Sequence, residues 1–242
     1  MFGLLRVRAG ARAAARRAGR WLVEVADAER RWTRHEHFGT PHVYNSRTAW
    51  ALLQLDRVSP DADLVAVARA NLDWALAEQR DGWFRHCAFK PGVPPYTHTI
   101  AYAIRGLLES GRLLDDERYV RGGAAAALAA RGLLREDGFL PGQVDEEGRP
   151  RATYCCLTGN CQLAICWAKL YESTGDESWK RAATQALDYV ISRQDVETRD
   201  PGVRGAIAGS YPIWGRYAPL SYPNWATKFF VDAMILRTRW TP

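Results

Sequence analysis

The chain has 242 residues, of which 47% are hydrophobic and 25% charged, with twelve prolines and twenty glycines. That balance suits a globular core and excludes a low-complexity or fibrous chain. No apolar run approaches the roughly 18 residues of a membrane span, so stable membrane insertion is not expected. The net charge of +6 sits at one end: residues 1–34 hold nine arginines and three acids, and the rest balances at 24 basic against 24 acidic residues.

In chain order, the acid-free start MFGLLRVRAGARAAARRAGR reads as a solvated amphipathic helix. Arginine interrupts its apolar residues too soon for a signal peptide, and a cytoplasmic location is expected. Four units of helix, aromatic turn, loop and helix then follow. The first runs from Ala13 to Leu55, the second from Asp63 to Ser110, the third from Arg118 to Ser173 and the fourth from Ser178 to Leu236. In the second unit Leu64, Val67, Ala68, Leu72, Ala75 and Leu76 mark one helical stripe. The second helix of each unit is apolar almost all round, which predicts an inner helix covered on both sides. Ser110-Gly111 and Thr174-Gly175 are expected to end inner helices, because glycine accepts the left-handed backbone there. Asp81-Gly82 and Asp137-Gly138 are expected as turns that end outer helices, and no β-rich half is expected. The spacing predicts about eight helices in antiparallel pairs, forming one all-α domain over residues 1–242.

The segment Gln79-Arg80-Asp81-Gly82-Trp83-Phe84 resembles the Gln-x-x-Asp-Gly-x-Trp repeat turn of the α/α toroids. That superfamily includes six-hairpin glycosidases, polysaccharide lyases and terpenoid cyclases. The segments THTIAYAIRGLLESG, CLTGNCQLAICWAKLYESTGD and GAIAGSYPIWGRYAPLSYPNWATKFF are similar to bacterial proteins from polysaccharide-biosynthesis loci. The resemblance covers roughly residues 13–238 and implies an α/α toroid or partial toroid. Such toroids usually have six hairpins and this chain has four. The shortfall predicts upstream hairpins outside this sequence, an open arc, or closure by a partner such as a second copy. Exposed apolar flanks would then make the chain a homodimer or poorly soluble, which light scattering would test.

The resemblance places the loops leading into inner helices around one mouth. Those positions are polar here: His42, Tyr44, Asn45 and Arg47; Tyr96 and His98; Thr158, Asn160 and Gln162; Tyr211, Arg216, Asn224, Trp225 and Lys228. Residues of these types also cap helices, so each alone has a structural explanation. Two-acid glycoside hydrolysis is poorly served, because these positions carry almost no carboxylates. Elimination or epimerisation beside a uronate needs a proton carrier and a group that stabilises the carboxylate or its enolate. His98, Tyr96, Asn160 and Asn224 are the catalytic candidates. Tyr44, Arg47, Trp83, Thr158, Tyr211, Arg216, Trp225 and Lys228 are candidates to bind substrate, and Trp83, Trp214 and Trp225 could stack on sugar rings.

The leading expectation is therefore a lyase or epimerase on an acidic sugar polymer, bound as an oligo- or polysaccharide. The alternatives are a non-catalytic glycan-binding or scaffold toroid, and a glycoside hydrolase. Nothing resembles a nucleic-acid motif, a P-loop or GxGxxG, so neither nucleic acid nor a cofactor is expected. Of five cysteines, Cys155, Cys156 and Cys161 with His98 could be imagined around zinc. Neighbours 155 and 156 cannot easily both face one metal, so no metal site is expected and the thiols read as reduced. Among the histidines, His98 is expected to matter most, with His35, His37 and His86 facing solvent. Under the enzyme reading His98→Gln should lower turnover ~100-fold or more with folding intact; unchanged turnover would make the residue structural.

Overall fold

The structure is a computed structural model and describes residues 11–240. The first ten residues, half of the acid-free start, lie outside the described residues, and the other half opens α1. Eight α-helices account for more than half of the described residues: α1 Ala11–Glu24, α2 Ser46–Asp56, α3 Ala62–Ala77, α4 Thr97–Leu114, α5 Glu117–Arg131, α6 Leu157–Thr174, α7 Glu177–Ile191 and α8 Asn224–Arg237. They fall into the four successive helix pairs that the sequence units predict. The only strands among the described residues are two residues long: β1 Gln79–Arg80 pairs with β2 Trp83–Phe84, and β3 Cys155–Cys156 with β4 Ser210–Tyr211, both antiparallel. The chain divides into two compact units, and the division falls within α4 and α5. One unit comprises Met1–Val93 with Tyr102–Ala125, the other Pro94–Ala101 with Ala126–Pro242.

In the N-terminal unit, α3 buries Leu64, Val67, Ala68, Leu72 and Ala75, the stripe read from sequence, with Leu76 half-buried beside it. Asp61 caps this helix by accepting the Asp63 N–H at 3.1 Å. Asn71 is buried on the same helix, and its amide donates to the Arg30 carbonyl at 2.6 Å, fastening the loop after α1. Trp32 in that loop is buried, and its indole donates to the Leu22 carbonyl at 2.8 Å.

Two local expectations change here. Asp81-Gly82 does more than end a helix: with φ of 49° and 85° it forms the two-residue turn of the β1–β2 ribbon. Left-handed backbone at both central positions matches the right-handed twist of paired strands, which is why Asp-Gly favours such hairpins. Ser110-Gly111 does not end α4, which continues to Leu114. Asp115 takes the left-handed position instead, with φ of 51°. Gly111 is a packing residue, since a Cβ there would lie 2.8 Å from the Val120 nitrogen. Close approach to the next helix explains this glycine better than termination does.

In the C-terminal unit, α6 is buried along almost its whole length and packs against α7 and α8, as expected of an inner helix. Its Trp167 has no exposed surface, and its indole donates to the Ala127 carbonyl at 2.9 Å. Gly175 closes α6 in the left-handed conformation, φ 70°, as the sequence implies. At Gly138 φ is 85°, and a Cβ would overlap the Gln185 carbonyl oxygen on α7 and lie 2.8 Å from the Tyr189 Cβ. Gln185 in turn donates through Nε2 to the carbonyls of Arg135 and Glu136 at 2.6 and 2.8 Å. The Asp137-Gly138 loop is thereby pinned to α7. Helix α8 leaves Trp225, Val231 and Ile235 about half exposed. No described helix is long and apolar enough to cross a membrane.

Candidate functional site

In the C-terminal unit the approach to α4 and the loop from Gly142 to Tyr154 are laced together by their backbones, and the loop after β4 joins them through Tyr96 and Tyr154. The Thr97 N–H donates to the Gly142 carbonyl at 3.1 Å, and the Val144 N–H to the Pro95 carbonyl at 3.1 Å. Gly142 donates to the Tyr154 carbonyl at 2.7 Å. These bonds fix three side chains in a row. Gln143 is buried, its Nε2 donating to the Pro94 carbonyl and its Oε1 accepting from the Tyr154 hydroxyl, both at 2.8 Å. The Tyr96 hydroxyl donates to the Arg216 carbonyl at 3.2 Å. Gly215 lets the loop after β4 lie flat on Tyr154, since a Cβ there would come within 2.7 Å of the Tyr154 ring and 2.6 Å of the Ser210 Cβ.

The result is a cleft of about 1010 Å³. Gln143, Tyr154, Trp214 and the three arginines Arg135, Arg151 and Arg216 line it, with no carboxylate among the described residues of the lining. Trp214 is 72% exposed, an indole face presented to solvent at the cleft. Burial holds the Tyr154 phenol well above its ordinary range, with the neighbouring Tyr96 adding to the effect. Burial also raises Tyr96, while the Tyr154 hydroxyl and the Arg216 charge pull it back. Both phenols are therefore protonated at neutral pH and serve as donors. A smaller hollow of about 380 Å³ lies along α7, with Glu136, Asp137, Glu177 and Asp188 mixed among Lys180 and Arg181.

Arg151 is held from behind. Asp145 Oδ2 accepts from the Nε atoms of both Arg149 and Arg151 at 2.8 Å, and Arg149 also pairs with Glu147 at 2.6 Å. Burial would raise the Asp145 carboxyl. The Arg149 and Glu147 N–H groups and the two guanidiniums outweigh that and hold it down at about 2. A carboxyl depressed below the ordinary 3.8 stabilises the fold fully above that value, and its contribution fades as pH falls through about 2. The unfolding midpoints of the wild type and Asp145→Asn should thus differ at neutral pH and converge below pH 2. A gap that stays constant across that window would remove Asp145 as the source.

His98 is buried, on the first turn of α4. The Gln162 side-chain amide lies 2.8 Å from His98 Nδ1 and orients the ring. Gln162 Oε1 and Thr158 Oγ1 are buried without hydrogen-bond partners. The His98 ring lies 5.3 Å from the Tyr217 ring, which lies 5.1 Å from Tyr96. The Trp225 indole donates to the Tyr217 hydroxyl at 2.9 Å. The structure thus brings Tyr96, His98, Arg216 and Trp225 into one group organised by Tyr217, with Tyr154 and Arg216 on the cleft.

The other candidates lie elsewhere. Asn160 is fully buried: its amide donates to the Gly138 and Ala186 carbonyls at 3.0 and 3.3 Å, and its Oδ1 accepts from the Cys155 thiol at 3.1 Å. Tyr211 flanks the loop under Arg193, whose guanidinium lies 4.4 Å from its ring. Asn224 and Lys228 are exposed on α8, Lys228 paired with Asp232 at 2.6 Å. Tyr44, Arg47 and Trp83 belong to the N-terminal unit. There Tyr44 stacks on His42 at 4.6 Å, Arg47 lies 4.3 Å over the Tyr102 ring, and Trp83 is buried on β2. His35, His37 and His86 are exposed, as expected.

All five cysteines are buried, and none is in a disulfide. Burial raises Cys155 and Cys161 far above the usual thiol range and Cys156 to about 12, so these three stay protonated at neutral pH. Among the described residues, no three His, Cys, Asp or Glu side chains converge as metal ligands do.

No family model and no curated protein sequence matches this chain. Solved structures do. An unsaturated glucuronyl hydrolase from Bacillus sp. GL1, described as responsible for the degradation of glycosaminoglycan, aligns with 98% of this chain and 70% of its own, at 18% identity and a TM-score of 0.76. A polysaccharide lyase aligns with 82% of this chain and 61% of its own, at 13% identity and a TM-score of 0.60. A GH76 α-mannanase from Bacteroides thetaiotaomicron aligns with 83% of this chain and 53% of its own, at 14% identity and a TM-score of 0.61. The fold is that of the six-hairpin α/α toroids. Within that fold the chain provides four hairpins among its described residues, and it spans little more than half of the mannanase.

Proposed function

We propose that this protein is a carbohydrate-active toroid that holds an acidic oligo- or polysaccharide in the cleft of its C-terminal unit and eliminates or epimerises beside a uronate carboxylate. The observation that carries the reading is the lining: three arginines, a neutral phenol and an exposed indole, with no carboxylate. Arginine pairs with a carboxylate through two parallel donors, and that pairing stabilises the enolate-like charge formed when the adjacent C–H loses its proton. In elimination Tyr154, the member of the Tyr96–Tyr154 pair on the cleft, gives its hydroxyl proton to the leaving oxygen, while solvent water takes the proton lost from the C–H and later restores the phenol. Trp214 offers a sugar ring its face. His98 and Tyr217 back the pair rather than meeting the ligand. Structural neighbours that act on glycans add support, and they include hydrolases as well as a lyase.

Hydrolysis by the usual route requires two carboxylic acids across the bond, and the cleft lining offers none. Glycan binding without turnover is the second reading, favoured by one observation: burial keeps both phenols protonated, so neither is a ready base. Incubation with a panel of uronate polymers separates these readings. New ultraviolet absorbance from unsaturated ends marks elimination, and deuterium uptake from solvent into the uronate ring marks epimerisation. Binding with neither signal leaves the non-catalytic reading, and reducing ends without unsaturation indicate hydrolysis.

A further inference from the structure

Resting on the reading that this cleft is the glycan site, we infer that it takes a glycan segment with two anionic groups on separate sugar residues. The count comes from the charge ledger of its three arginines. Arg151 is neutralised in place, because Asp145 and Glu147 together balance Arg149 and Arg151. Among the described residues, Arg135 and Arg216 have no acidic partner. The Arg135 guanidinium lies over the Phe139 ring at 4.3 Å, and the Arg216 main chain, rather than its side chain, accepts the Tyr96 hydrogen bond. Two uncompensated cations therefore face a cleft whose lining contains no carboxylate.

Placement of both anions on one sugar ring fits the space less well. A volume of about 1010 Å³ is at the upper end of what small-molecule sites enclose, enough for several rings. The two arginines also arrive on different segments, one in the loop after α5 and the other in the loop after β4. Trp214, two residues before Arg216, supplies the apolar surface that a sugar ring needs between charged contacts. A carboxylate and a sulfate ester share the chemistry that an arginine reads.

Calorimetry with the intact protein tests this using four probes: galacturonic acid, its dimer, a neutral disaccharide, and a disaccharide with one sulfate on each ring. The dimer should bind at least ~10-fold more tightly than the monomer, since a charge-assisted hydrogen bond contributes about 1.5–3 kcal/mol. Arg135→Gln and Arg216→Gln should each weaken the dimer ~10-fold. Only one of the two should weaken the monomer, because one carboxylate occupies one arginine. Equal binding of monomer and dimer, or loss of monomer binding in both variants, overturns the two-anion inference and leaves the glycan reading intact. Absence of binding by all four probes overturns both. Preference between the carboxylated and sulfated dimers identifies the anion. Both arginines are exposed, so their replacement leaves the fold in place.

Discussion

Tyr154→Phe is expected to lower turnover of a uronate polymer by ~100-fold or more while leaving substrate binding nearly unchanged. The hydroxyl is the phenol proton donor on the cleft wall, and burial holds it protonated. The same change leaves Gln143 Oε1 buried without its donor, at a cost of roughly 1–3 kcal/mol. Activity must therefore be compared at a temperature where the variant is fully folded, established by a urea titration. Full turnover in a folded Tyr154→Phe protein would remove Tyr154 from the proton path. Reduced binding with unchanged turnover would make it a substrate-holding residue.

The largest expected effect on stability is at Gly138. Gly138→Ala should lose roughly 2–5 kcal/mol, combining about 1–2 for a left-handed alanine with about 1–3 for overpacking. The overpacking arises because the added methyl meets the α7 backbone. Gly175→Ala is the matched comparison: φ is also positive at 70°, but nothing lies within 4 Å of the added Cβ. It should lose only roughly 1–2 kcal/mol. The difference between the two urea midpoints reports the contact with α7, and equal losses would show that contact to be unimportant.

The helices were legible because burial on one face leaves a period in the sequence. The α3 stripe from Leu64 to Ala75 and the all-round apolar α6 show it most clearly. The end of α4 was less legible. Ser110-Gly111 has the local form of a stop, but tertiary packing against Val120 uses that glycine inside the helix. Asn160 shows the same limit from the polar side, since an asparagine near a helix start reads as a cap or a ligand group. Its partners, Gly138 and Ala186, are 22 and 26 residues away.

Of the cleft, Arg216 and Trp214 could be named from sequence, because they stand in an aromatic-rich loop leading to an inner helix. Gln143, Tyr154, Arg135 and Arg151 could not. Their loops have no periodicity, and what unites them is hydrogen bonding across the chain, such as Gln143 to Pro94 and Gly142 to Thr97. One usable signal was present. Tyr154 stands three residues before α6, just ahead of the cysteine pair, and Tyr96 stands one residue before α4, so each inner helix is approached through a tyrosine.

The shielded thiols turn the native protein into its own opening clock. Every cysteine is buried, so a thiol-specific reagent can react only when the surrounding structure opens. Cys87 lies in the N-terminal unit, and Cys155, Cys156, Cys161 and Cys166 in the C-terminal unit. Mass spectrometry of peptides after timed labelling would therefore give separate opening rates for the two units in unmodified protein. Coincident rates would mark one cooperative transition, and divergent rates would show which unit loosens first.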